Sequence, residues 1–92
     1  MAVYVDRARV QFKEKLRCHL MADTLEELHI FAQNMNIDAR LFHRNASYPH
    51  YDITLEMRMF VIAHGAIDAD RRTIIACGKR LKSQMLQNAD QG

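Results

Sequence analysis

The chain has 92 residues, 49% apolar and 26% charged, with a formal net charge of +2 at pH 7. These are ordinary values for one globular domain, and a domain of this size buries only about 60–65% of the surface its unfolded chain exposes. The small charge, carried by scattered Arg and Lys, argues against a nucleic-acid surface, and no apolar run approaches the roughly 20 residues a membrane span requires.

Cys18 and Cys77 are too few for a disulfide framework. Both have apolar neighbours, so buried, reduced thiols are expected. Asp6, Arg7 and Arg9 interrupt any N-terminal apolar segment of the kind a signal peptide needs. The expectation is a soluble, cytoplasmic protein with no membrane association.

Residues 2–6, Ala-Val-Tyr-Val-Asp, read as a short strand ended by a charge. Asp6 reads first as a turn residue, although a carboxylate at a strand's end also suits a site. Residues 7–15 are mixed and charged, which predicts a loop or an irregular strand. Leu16, Cys18, Leu20 and Ala22 then alternate with Arg17, His19 and Met21, the period of a strand. A helix begins at Asp23 or Thr24, and both fit a capping box, with Glu26 and Glu27 respectively. Leu25, Leu28, Ala32 and Met35 make its apolar stripe. Residues 37–43 suggest the next strand, parallel to 16–22 through a right-handed crossover.

Residues 44–53 form a polar and aromatic loop in which the Tyr48–Pro49 bond is a candidate for cis. Thr54 caps a helix over 55–64, and Gly65 supplies the residue after its end. Apolar on most sides, that helix is expected to be buried or to serve an oligomer interface. Residues 66–69 connect to a final helix that Asp68 or Asp70 caps and that runs to about Leu86. The tail from Asn88 to Gly92 is expected to fray.

The segments Met1–Asp6, Cys18–His29 and Pro49–Ile53, with Arg58 ahead of His64-Gly65-Ala66, resemble an uncharacterised family. It occurs in bacteria and phage genomes and is catalogued as domain of unknown function 4031. The resemblance covers roughly residues 1–67 and implies a phage or prophage setting. It implies no particular activity, since the family has none to carry over.

Four constellations carry chemistry. His19, Asp23, His50 and Asp52, with Asp6, His29 and His43 outside them, converge if the junctions at 22–24 and 52–55 lie side by side. Two imidazoles and one or two carboxylates can hold a divalent metal or work as an acid–base pair. No recognised metal motif is present, and capping is the plainer account of Asp23 and Asp52. Arg17, Arg40, Arg44 and Arg58, with Tyr48 and Tyr51, suit a phosphorylated or nucleotide-like ligand. Arg71, Arg72, Lys79, Arg80 and Lys82 recur around the last helix, and a solvated face explains them better than nucleic acid. Met57, Met59, Met85 and Phe60 suggest adaptable packing or a homodimer through helices 55–64 and 69–86.

The overall expectation is a single α+β domain over 1–92, with about three short strands, partly parallel, and three helices. The leading functional reading is a non-enzymatic binder of a nucleotide-like or other anionic small molecule. In a phage setting it would sequester a signalling nucleotide or inhibit a host factor. The ligand would contact Arg17, His19, Asp23, Thr24, Arg44, His50, Tyr51, Asp52 and Arg58. One alternative is a metal-dependent hydrolase using His19, Asp23, His50 and Asp52; another is a protein–protein interaction module. No cofactor is required by the leading reading, and a homo-oligomer is expected because a small domain gains stability by burying a shared face.

Overall fold

The eight-residue alternation around Cys18 and His19 forms the longest strand, and every other strand is placed by reference to it. In the computed structural model, residues 2–91 are described, with side chains up to Gln87. The strands are β1 (Val3–Val5), β2 (Val10–Phe12), β3 (Lys15–Ala22), β4 (Phe42–His43), β5 (His50–Thr54) and β6 (Ile67–Asp68). The α-helices are α1 (Leu25–Asn34), α2 (Leu55–Ala63) and α3 (Arg71–Gln91). The architecture is α+β, with six strands in one mixed sheet rather than about three.

One edge of β3 is shared by two short strands, β1 at Val3↔Ala22 and Val5↔Leu20, and β2 at Val10↔Arg17 and Phe12↔Lys15. The opposite edge pairs antiparallel with β5, which places His19 opposite Asp52 and Leu20 opposite Tyr51. β4 extends the sheet beyond β5, and β6 pairs parallel with β1. Residues 7–15, read as a loop or an irregular strand, form a tight β2–β3 hairpin in which Lys13 takes the left-handed conformation, φ 57°.

The expected parallel pairing of 16–22 with 37–43 does not form. Ala39–Leu41 turn in a 3-10 helix whose first N–H groups are satisfied by Asp38, which accepts the Arg40 N–H at 2.9 Å. Only two residues remain for β4, and β5 lies between β4 and β3. Since both are antiparallel to β5, β3 and β4 do run in the same direction. The unit is therefore a split βαβ rather than an adjacent one.

Helix starts follow local chemistry. Thr24 accepts the Glu27 N–H, Thr54 the Met57 N–H and Asp70 the Thr73 N–H, each satisfying a donor that the first helical turn leaves free. Gly65, at φ 110°, follows α2 as a residue in the positive-φ region, which glycine enters without a Cβ penalty. The Tyr48–Pro49 bond is trans. α3 continues to Gln91, past the expected end near Leu86. The expected fraying after Asn88 falls outside the described side chains, and Gly92 outside the described residues.

Val3, Val5, Cys18, Leu20, Ala22, Tyr51 and Ile53 form one face of the sheet and are buried with Leu25, Leu28 and Ala32 of α1 and Val61 of α2. α2 is less buried than its composition predicts. Val61 is its one buried residue, while Met59 is 74% and Phe60 44% exposed. The opposite face carries Tyr4, His19 and Met21 and is covered by α3 through Ile74, Cys77 and Leu81. The Cys77 thiol donates to the Ala22 carbonyl at 3.0 Å. Among the described residues, no helix is long and apolar enough to cross a membrane.

α3 approaches the 44–49 loop so closely that a Cβ on Gly78 would lie 2.6 Å from Tyr48 Cγ and 2.7 Å from its Cβ. Those atoms are the root of the side chain and cannot swing aside without backbone movement. Gly78→Ala gains about 1 kcal/mol of helix propensity but overpacks this contact at a cost of about 1–3 kcal/mol. The expected result in a urea titration is a net loss of about 1 kcal/mol; a gain in stability would mean that the loop yields freely.

Candidate functional site

Side chains opposite one another in an antiparallel pair share a face. The β3–β5 register therefore puts His19 beside Asp52, and the β5–β4 register puts His50 beside His43, two residues along β5 on that same face. The His19 and His50 rings meet edge to face with centroids 4.6 Å apart, and His43 stacks on His50 at 5.3 Å. All three converge on Asp52. His50 Nε2 lies 3.0 Å and His19 Nε2 3.9 Å from Asp52 Oδ1, and His43 Nε2 lies 2.9 Å from Oδ2.

The other ring nitrogens are committed. His19 Nδ1 lies 2.7 Å from Asp6 Oδ2, while Asp6 Oδ1 accepts the backbone N–H groups of His19 at 2.8 Å and Ala8 at 3.3 Å. Burial opposes ionisation of Asp6, but hydrogen bonds from the His19 ring and backbone outweigh it and hold the carboxyl below its ordinary range. The acceptor is thus a carboxylate, and the His19 proton sits on Nδ1. His50 Nδ1 lies 2.7 Å from the Tyr48 carbonyl, which can only accept, so its proton is on Nδ1 as well. In the neutral rings both Nε2 lone pairs then face Asp52.

Two lone pairs and a carboxylate oxygen facing one another repel unless a proton or a cation lies among them. Desolvation pushes the His50 pKa down, and the His19 charge lowers it further, so a proton on His50 is disfavoured. The hydrogen bond to Asp6 pushes the His19 pKa up, against the burial that lowers it. His19, His50 and Asp52 offer one ligand atom each, all within 4.8 Å of one another. Ligand bonds of about 2.1 Å at tetrahedral angles set ligand atoms about 3.4 Å apart. The observed 3.0 and 3.9 Å lie on either side of that spacing. Each candidate ligand has an outer partner: Asp6 for His19, the Tyr48 carbonyl for His50 and His43 for Asp52. That is the arrangement by which proteins orient metal ligands.

The junctions at 22–24 and 52–55 do not lie side by side. β3 and β5 are antiparallel, so Thr54 neighbours Arg17 while Ala22 lies beyond the β5 pairing. His19 and His50 meet through strand register instead. Asp23 stands at the far end of β3, where it accepts the Ala2 N–H and pairs with Arg80. Thr24 caps α1, and the neighbouring Leu25 N–H is taken by Gln84 Oε1 at 2.8 Å, so this chain's own side chains occupy that helix N-terminus. Tyr51 points to the opposite face, where its hydroxyl bonds His29 Nδ1 at 2.7 Å. Arg44 acts on that side too, its charge lowering the His29 pKa after burial, the larger cause. Arg17 sits over the Phe12 ring at 5.2 Å. Arg58 donates to the Asp6 carbonyl at 2.9 Å and pairs with Asp68, behind the site rather than in it.

Beside the imidazoles opens a cavity of about 760 Å³, within the range of small-molecule sites. Met21, Ile74 and Ile75 make its walls mostly apolar, Ser47 and Tyr48 close one side, and Arg7 and Arg71 stand in its lining. Reading the sequence for clustered functional types misses this half of the site. Ile75, Ala46 and Ser47 carry no pattern that marks them as lining, Tyr48 is marked only as an aromatic candidate, and Asp6 reads first as a turn residue.

The family model described as protein of unknown function DUF4031 matches residues 3–81, and the chain belongs to that family. No curated protein and no solved structure matches it.

The proton assignments make a pH prediction. In chelator-treated protein, the NMR titration midpoint of His19 is expected above, and that of His50 below, the ordinary histidine value of about 6.5. The His19–Asp6 pair contributes its full stability below about pH 6.5 and loses it as pH rises through the raised His19 midpoint. Asp6 works in the opposite direction: its contribution is present above about pH 3.9 and disappears as pH falls through its lowered value. Asp6→Asn should bring the His19 midpoint down; an unmoved midpoint would refute the assignment.

Proposed function

We propose that this protein is a small divalent-metal-dependent hydrolase whose ligands are His19, His50 and Asp52. One observation carries the reading: both imidazoles have their Nδ1 protons tied to fixed acceptors, so both Nε2 atoms aim with Asp52 at one point. Two histidines, one carboxylate and coordination positions left open are the donor set of catalytic rather than closed structural sites. A divalent ion there would supply Lewis acidity and an activated water. The chain's own residues do the rest. Asp6 holds His19 in the correct tautomer, the Tyr48 carbonyl does so for His50, and His43 occupies the second oxygen of Asp52. Met21, Ile74 and Ile75 give the neighbouring cavity a dry wall against which a substrate can be held.

Of the sequence-derived set, Asp23 drops out of this assignment because Ala2 and Arg80 engage it. Calorimetric titration with Zn²⁺ or Mn²⁺ is expected to show one ion per chain. His19→Ala, His50→Ala and Asp52→Asn should each abolish uptake, and Asp6→Asn should weaken it by about 10–100-fold. Full uptake by His19→Ala and His50→Ala would overturn the proposal.

A second reading is a binder of anionic small molecules without turnover, such as a phage protein that sequesters a signalling nucleotide. It draws support from the Arg7 and Arg71 guanidinium groups in the cavity lining, beside a His19 whose pKa the Asp6 hydrogen bond pushes up. A thermal-shift screen with nucleotides in the presence of chelator tests it. A ligand at 100 times its Kd adds about 2.7 kcal/mol of stability, and a shift that survives chelation and fails in His19→Ala would favour this reading over the first.

A further inference from the structure

A second recess of about 300 Å³ is lined by Arg7, Ala8, Arg9, Arg58 and Asp68. Arg7 and Ala8 also line the larger cavity, so the two spaces adjoin at these residues. The recess holds three guanidinium groups and a single carboxylate. That carboxylate fixes two of the cations, Arg7 and Arg58, in place. Asp68 accepts from Arg7 Nε and Nη2 at 3.0–3.2 Å and from Arg58 as well.

Arg58 is held a second time, by the Asp6 carbonyl at 2.9 Å, and its side chain is only 21% exposed. A guanidinium carries five N–H donors. These contacts use two on Arg7 and two on Arg58, so three remain on each. Arg9 pairs with no carboxylate among the described residues. The arrangement therefore leaves a concave set of donors, those of Arg7 and Arg58 held in position, and an excess of two positive charges beside the imidazole cluster.

We propose that this recess is a phosphate subsite, and that the substrate is a small phosphorylated molecule with an apolar or aromatic body. The phosphate sits among Arg7, Arg9 and Arg58 while the body lies in the larger cavity against Met21, Ile74 and Ile75. The claim rests on the hydrolase reading for its word substrate, since it makes the phosphate a handle that presents the rest of the molecule to His19, His50 and Asp52. Planar guanidinium forks match phosphate oxygens in pairs, and a mostly apolar neighbouring wall has no use for a second charged group. A compact recess of about 300 Å³, rather than a basic stripe, also favours a small molecule over a nucleic-acid backbone.

The test is calorimetry with phenyl phosphate, using full-length protein, first metal-free and then saturated with Mn²⁺. Benzyl alcohol, inorganic phosphate and a ten-residue oligothymidylate serve as comparisons. Phenyl phosphate should bind more tightly than either of the first two, because its phosphate meets the recess while its ring meets the adjoining cavity. Arg9→Gln and Arg7→Gln should each weaken it by about tenfold while leaving Mn²⁺ uptake unchanged. Both positions are exposed, so these variants stay informative even if Arg58→Gln, which also loses the Asp6 tie, fails to fold. Equal phenyl phosphate binding by wild type and both variants would overturn the subsite. So would tighter binding of the oligothymidylate through the same arginines, which would make the surface a nucleic-acid site. Arginine-dependent binding of phenyl phosphate without Mn²⁺ uptake would support the subsite and remove the metal. Mn²⁺ uptake with arginine-independent binding would do the reverse.

Discussion

The contact between Asp6 and His19 holds the functional face together. It joins the end of β1 to the middle of β3 by a ring hydrogen bond of 2.7 Å and a backbone one of 2.8 Å. An isolated buried carboxylate is costly, and this one persists because three donors from the His19 ring, His19 backbone and Ala8 backbone surround it. The same contact decides which nitrogen of His19 is free. Remove it and the ring can flip or exchange its proton, and the convergence on Asp52 loses one of its directions. Arg58 reinforces the arrangement from behind by holding the Asp6 carbonyl. A structural ion pair and the orientation of a candidate ligand are thus one interaction.

The sheet supplies the rest through register alone. His19 and Asp52 are neighbours because β3 and β5 pair at Leu20↔Tyr51, and a slip of one residue would send Asp52 to the opposite face. That slip is prevented by Tyr51 and Ile53, both buried against Leu20 and Cys18 on the other side. The hydrophobic alternation that stabilises the fold therefore also aligns the polar face. Burying Tyr51 one way forces Asp52 the other.

Local chemistry made part of this legible from residues. The alternation over 16–22, the capping threonines at 24 and 54 and the glycine at 65 each carry a mechanism that acts within a few positions, and the helices begin where those mechanisms place them. The pairing of strands does not act locally. β2, β4 and β6 have two or three residues each, mostly exposed, and no periodicity that short separates a strand from a turn. His19, His50 and Asp52 stand out by residue type, yet cross-strand register joins them, not the adjacent helix starts that their sequence positions suggest. Asp6 stands only as an outer candidate in the sequence, because an aspartate after a strand looks the same whether it turns the chain or grips a histidine. The Tyr48 carbonyl was hidden more deeply, since backbone atoms have no signature in a string of side chains. Arginine type was a partial guide. Arg58 lines the recess beside the cavity, Arg17 sits over Phe12 and Arg44 acts on the opposite face, while Arg7 and Arg71 reach the cavity.

Thr54 ends β5 and caps α2 at the same time, so no spare residue separates strand from helix. The two elements are joined directly at that hydroxyl, which accepts the Met57 N–H. Asp52 lies two extended residues from it, about 7 Å along the chain, and Met59 and Phe60 ride on the helix, turned outward. The position of the helix start and the position of the carboxylate among its three imidazoles are therefore set together.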